Sequence, residues 1–158
     1  MIFYNAEKYQ QSCNELFSRY KIDIQKIIPN ARVEHVGSSS IPNAISKGDL
    51  DIFVGVETSQ LAFSVDLLLA KMKLQEKIDT LRTPELCMLE STTGDNVALQ
   101  VVANGSKFEF FLTFRDKLKE NTKLAHQYNA LKQSCEGLSQ GEYRQKKSEF
   151  IALVLSLK

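Results

Sequence analysis

The run Asp49-Leu50-Asp51-Ile52-Phe53-Val54-Gly55-Val56 restricts the fold of this chain more than any other stretch. After Asp51 it is almost continuously apolar, the pattern of a strand covered on both faces near the middle of a sheet. A strand over roughly 49–56 places Asp49 and Asp51 on one face, because alternate side chains point the same way. Leu50 and Ile52 then point to the other face, into a core. Such a strand needs neighbours on both edges and a layer on each side.

The flanking patterns supply those layers. Tyr9, Cys13, Leu16, Phe17, Tyr20, Ile24, Ile27 and Ile28 recur at steps of three and four. They predict an amphipathic helix over 5–28, with Asn5 as N-cap and Pro29-Asn30 as its stop. Val33 and Val36 mark a first strand over 31–36, and Ile41–Ile45 fits one helical turn. Thr58 or Ser59 caps a helix running to about Lys73, with Leu61, Val65, Leu68, Leu69 and Met72 as its apolar stripe. Residues 74–84 fit an irregular loop or a short edge strand around Ile78. Leu86–Ser91 and Val97–Ala103 read as a hairpin across the turn Thr92–Asn96. From Ser106 the period becomes helical in three segments. Their stripes are Phe108, Phe111, Leu112, Arg115, Leu118; Leu124, Tyr128, Leu131, Cys135; and Tyr143, Lys147, Phe150, Ile151, Val154, Leu155. The expected fold is α/β (α+β): an N-terminal helix, a small mixed sheet and three C-terminal helices, in a single domain over 1–158.

Charge excludes little by itself. The net charge is +1, so no global field argues for nucleic acid or a membrane surface. Residues 1–104 hold 10 basic and 13 acidic side chains, and residues 105–158 hold 10 basic and 6 acidic. The C-terminal third is the better wall for an anion. Cys13, Cys87 and Cys135 fit no zinc spacing and no disulfide framework, which suits reduced thiols in a cytoplasmic protein. No secretory leader pattern is expected at the start, and Ile151–Leu155 is too short to span a bilayer.

Chemistry concentrates at two places. Val36-Gly37-Ser38 puts a small-residue turn after an apolar strand, where backbone amides can approach a phosphate. Asp49 and Asp51 follow after ten intervening residues and suit Mg²⁺ carried by a nucleoside triphosphate. A lone Asp-x-Asp is otherwise common at strand ends.

The two together resemble the signature of the nucleotidyltransferase superfamily: apolar-Gly-Ser, a short gap, then Asp-apolar-Asp-apolar. More narrowly, His35-Val36-Gly37-Ser38-Ser39-Ser40-Ile41-Pro42 resembles the opening motif of the GrpB family. In that family a Gly usually stands where this chain has Asn43, and a Thr where it has Ser39. Lys47-Gly48-Asp49-Leu50-Asp51 resembles the form of members that keep the first Asp. Phe114-Arg115-Asp116-Lys117-Leu118, Leu124 through Leu131-Lys132, and Tyr143, Lys147 and Phe150-Ile151 resemble its later motifs. The likeness runs over about 31–151.

The resemblance implies a nucleotidyltransferase fold, with Asp49 and Asp51 as metal ligands. A third acid on a later strand would help activate an attacking hydroxyl. The chain has Gln100 at that register, and an amide orients an oxygen but takes no proton near neutral pH. Gly37, Ser38, Ser39 and Lys47 are expected to meet a phosphate. Arg115, Tyr143 and Lys147 are expected on a cationic wall opposite the acids, or else Arg115 and Lys147 are held in ion pairs. His35 either reaches a phosphate or base or is hydrogen-bonded to a neighbouring loop. His126, Lys117, Lys119, Lys123 and Lys132 read as solvated surface.

Three functions compete. One is Mg²⁺-dependent transfer of a nucleotidyl group to a small acceptor. Another is a module that binds a nucleoside triphosphate or other phosphorylated small molecule without turnover. The last is a domain whose C-terminal helices bind a partner.

Overall fold

The computed structural model describes residues 1–157. Its elements run α1 (Ala6–Ile27), β1 (Arg32–Val36), β2 (Leu50–Val56), α2 (Leu61–Lys71), β3 (Leu74–Glu76), β4 (Leu86–Ser91), β5 (Val97–Ala103), α3 (Phe110–Glu120), α4 (Thr122–Ser134) and α5 (Gln140–Ser156). The five strands form one sheet in the order β1-β2-β5-β4-β3. Only β2 and β5 pair in parallel; the other three ladders are antiparallel. The sheet is therefore mixed, and β2 lies inside it between β1 and β5, as its apolar run requires.

Alternation along β2 and β5 sorts the two layers. Leu50, Ile52, Val54, Val97, Leu99 and Val101 enter a core closed by α1 and α2. Asp51, Phe53, Gln100 and Val102 point to the other face. There Phe53 and Val102 pack with Val36, Leu86, Phe108 and Leu112. The three C-terminal helices cover that face, with Phe114, Leu118, Tyr128 and Val154 as a second core against Ile41 and Ala44. Among the described residues no helix is long and apolar enough to cross a membrane.

Three local expectations are corrected. The helical turn expected at Ile41–Ile45 is absent, and a 3₁₀ turn occupies Ser38–Ser40 instead. Pro42 disfavours the helical region for the residue before it, and Ile41 is extended at φ −98°, ψ 123°. Asn43 then adopts φ 62°. Gly and Asn tolerate this left-handed conformation best, which suits Asn43 to the position. The second correction concerns 58–73: Thr58–Gln60 is a 3₁₀ turn without a side-chain cap, and the α-helix begins at Leu61. In the third, the edge strand β3 ends at Glu76, and Ile78 lies outside it, 76% exposed.

Candidate functional site

Gly37, Lys47, Asp49, Asp51 and Gln100 line one cavity of about 230 Å³ with Tyr143 and Lys147 from α5. Its floor is the sheet. Val36 pairs with Asp51 across β1 and β2, so the turn after β1 hangs beside the Asp51 carboxylate. Gly37 sits there at φ +74°, and a Cβ on it would lie 3.0 Å from Asp51 Cβ and Cγ and closer still to Oδ2. Gly is needed at this position both for its backbone and for the space. Asp49 lies one residue before β2, where Ser46 Oγ donates to its Oδ1 at 3.4 Å.

Gln100 projects from β5 beside Asp51, and its Nε2 donates to Asp51 Oδ1 at 3.4 Å. Burial, then the neighbouring Asp49 charge, push the Asp51 carboxyl up from the usual range; Lys147, Gln100 and Lys77 oppose them. Cationic and aromatic side chains line the cavity with these groups. The ammonium groups of Lys47 and Lys147 lie 5.6 and 5.8 Å from the Tyr143 ring centroid. Tyr128 does most to hold Lys147 protonated, above the usual lysine range; burial opposes it, and Tyr143, Asp51 and Asp49 add to it. Lys77, Arg144, Phe110, Phe111 and Phe114 complete the rim.

Other expected site residues lie outside this lining. Ser38 Oγ is taken by Lys132 Nζ at 2.6 Å. Ser39 is buried, with its hydroxyl 2.7 Å from His35 Nε2. His35 points to the α1 face of the sheet and stacks on Phe17, with ring centroids 5.2 Å apart. Arg115 does not line the cavity. It binds Glu34 Oε1 at 2.8 Å and Asp116 Oδ1 at 2.9 Å, and donates to the His35 carbonyl. The ion-pair alternative describes Arg115; Lys147 is on the cavity wall.

Lys132 overturns the reading of a solvated α4 face. It is 0% exposed. Its ammonium donates to Ser38 Oγ and to the Ile45 carbonyl, each at 2.6 Å, and lies 3.9 Å from the Tyr128 ring centroid. It thus ties α4 to both ends of the loop between β1 and β2. Its spacing of four from Tyr128 was the available signal, since i and i+4 share a helix face. Charge argued for the surface and masked it. Lys77 went unread because its segment showed no period.

No group of three or more His, Cys, Asp or Glu able to hold a metal occurs among the described residues. Asp49 and Asp51 alone do not form an all-protein cage. They fit a Mg²⁺ that arrives on substrate phosphates, since that ion is commonly held by one or two carboxylates plus phosphate and water. A wider groove of about 530 Å³ lies elsewhere, between the ends of α1 and α2. Its Lys26 and Lys71 occupy last helical turns, where the helix dipole already favours cations.

A sequence model of the family described as GrpB protein matches residues 5–156. The chain belongs to the GrpB family. A UPF0157 protein of Vibrio cholerae is 57% identical over 155 residues, covering 98% of this chain and 82% of that one. A UPF0157 protein of Deinococcus radiodurans is 32% identical over 142 residues, covering 88% and 73%. The crystal structure of GrpB from Enterococcus faecalis superposes with a TM-score of 0.68 at 21% identity, covering 98% of this chain and 100% of that one. Cid1 poly(U) polymerase, solved with MgGTP bound, gives a TM-score of 0.52 at 14% identity, over 78% of this chain and 41% of Cid1. The likeness to Cid1 is one of fold: this GrpB-family chain has a nucleotidyltransferase-like fold.

Proposed function

We propose that the cleft between β2, β5 and α5 binds a nucleoside triphosphate or other phosphorylated small molecule with Mg²⁺. The observation that supports this reading best is that Asp49 and Asp51 line one cavity together with Lys47 and Lys147. Two adjoining carboxylates attract a divalent cation, and the two lysines balance phosphate oxygens the cation leaves uncovered. The bound Mg²⁺ would neutralise phosphate charge. Phe110 and Phe111 offer an apolar face for the rest of the ligand.

The reaction such an arrangement supports is transfer of a nucleotidyl group to a small acceptor hydroxyl. The acceptor oxygen bonds to the α-phosphorus, the bond to the β-phosphate oxygen breaks, and pyrophosphate leaves. With Gln100 beside Asp51, the amide cannot take the hydroxyl proton, which passes to solvent or to a phosphate oxygen. That same amide favours the second reading, binding without turnover.

Calorimetry with ATP and GTP, with and without Mg²⁺, tests the binding. Saturable Mg²⁺-dependent binding that is lost in Asp51→Asn is the expected result; no binding to any probe rejects the proposal. Pyrophosphate release in the presence of a metabolite pool, absent from Asp51→Asn, separates transferase from binding module.

A further inference from the structure

Gln100 is 6% exposed, and its Oε1 is one of two buried side-chain oxygen or nitrogen atoms among the described residues that lack a hydrogen-bond partner. The other is Ser106 Oγ, whose residue does not line the cleft. Gln100 turns its Nε2 toward Asp51 Oδ1, and a carboxylate that holds a cation accepts only. Oε1 is thereby left as an acceptor. An unmet buried acceptor is costly, and the space adjoining this side chain is the cleft it lines.

A phosphate cannot satisfy that atom, because ionised phosphate oxygens only accept. Mg²⁺ shared with Asp51 suits it poorly too, since the amide's own NH₂ stands between Oε1 and the carboxylate. What fits is a donor. The cleft then offers both kinds of partner: acceptors at Gln100, Asp49 and Asp51, and cations at Lys47 and Lys147.

We propose that Gln100 is the specificity-determining residue of this cleft, accepting a hydrogen bond from a hydroxyl group on the phosphorylated ligand. The inference rests on the phosphate-binding reading above and narrows it to phosphorylated molecules that carry a donor, such as sugar, polyol or nucleoside phosphates. Inorganic polyphosphates are rejected. A site built around a buried acceptor discriminates strongly against an analogue lacking the donor, because the acceptor then stays unpaired.

Two matched probe pairs test it by calorimetry with Mg²⁺: ATP against 2′,3′-dideoxy-ATP, and glycerol 3-phosphate against propyl phosphate. The wild-type chain is expected to prefer the hydroxylated member of one pair by about tenfold or more. Gln100→Met is expected to shrink that preference to about twofold or less, whatever it does to the affinity both members share. Thermal unfolding of Gln100→Met verifies that it folds, and Gln100→Asn serves if it does not. Lys147→Ala should weaken both members alike. Equal wild-type affinity within both pairs overturns the inference but leaves phosphate binding standing. Equal weakening of both members in Gln100→Met overturns it as well. Failure of all four probes to bind removes both proposals.

Discussion

Gly37, just past the Val36–Asp51 pair that ends the β1–β2 ladder, lies so close to Asp51 that no side chain fits on the first without displacing the second. The small-residue turn after β1 thus serves the acid on β2, and one backbone geometry sets both sides of the cleft mouth. Gly37→Ala would combine a left-handed φ with a Cβ pressed on a carboxylate. It is expected to lower stability by about 1–3 kcal/mol and to abolish Mg²⁺-dependent ligand binding. Denaturant unfolding and calorimetry measure the two effects; an Ala variant that binds as tightly as wild type would show that the contact relaxes freely.

Lys132 holds the same turn from beneath. Burial, then the charge of Lys147, push its amine well below the usual lysine range, while Asp49 and Asp51 pull the other way. Its three donors nonetheless have three acceptors in reach: a hydroxyl, a carbonyl and an aromatic face. Lys132→Met keeps the bulk but leaves the Ile45 carbonyl without its side-chain donor. The expected loss is about 2–4 kcal/mol, read from urea unfolding at neutral pH. A loss below about 0.5 kcal/mol, the range of an ordinary surface substitution, would return Lys132 to the solvated class.

Arg115 is an architectural cation. Burial pushes Glu34 up, but hydrogen bonds from Arg115 and Arg32 hold its carboxyl below the usual range. Arg115→Met is expected to lose about 1–3 kcal/mol by stranding a half-buried carboxylate, with ligand affinity unchanged. A tenfold fall in affinity without a stability change would place the guanidinium in ligand binding instead.

His35 predicts an acid limb in the stability curve. Burial, then the Lys119 and Arg115 charges, lower its pKa to about 4 from 6.5. Below about 6.5 the unfolded chain takes up the proton and the folded chain does not. Stability from this residue is therefore full above 6.5 and drains away as the pH falls toward 4, by up to about 3 kcal/mol. Asp51 acts in the opposite sense, because its folded carboxyl binds a proton more readily than the unfolded one. The difference between wild type and His35→Gln isolates the histidine. Thermal unfolding from pH 4 to pH 7 should show that difference narrowing with acid; a constant difference would contradict the assignment.

Amino-acid order alone determined the long helices, the central strands and much of the floor of the cleft. Apolar alternation in 49–56 specified an interior strand, and the period of two carried Asp51 to the face opposite Leu50 and Ile52. The stripe over Tyr9–Ile28 specified α1 before anything it packs on was known. These are local properties of residues two to four apart. Only the tertiary structure decided which polar groups face one another. Lys132 reads as surface until Ser38 and Ile45, 94 and 87 residues away, are folded against it. Arg115 reads equally as a ligand wall or an ion-pair partner until Glu34, from a different element, claims its guanidinium. Hydrophobic period reports which face is buried, but a buried charge is settled by its partner, and partners distant in the chain leave no periodic trace.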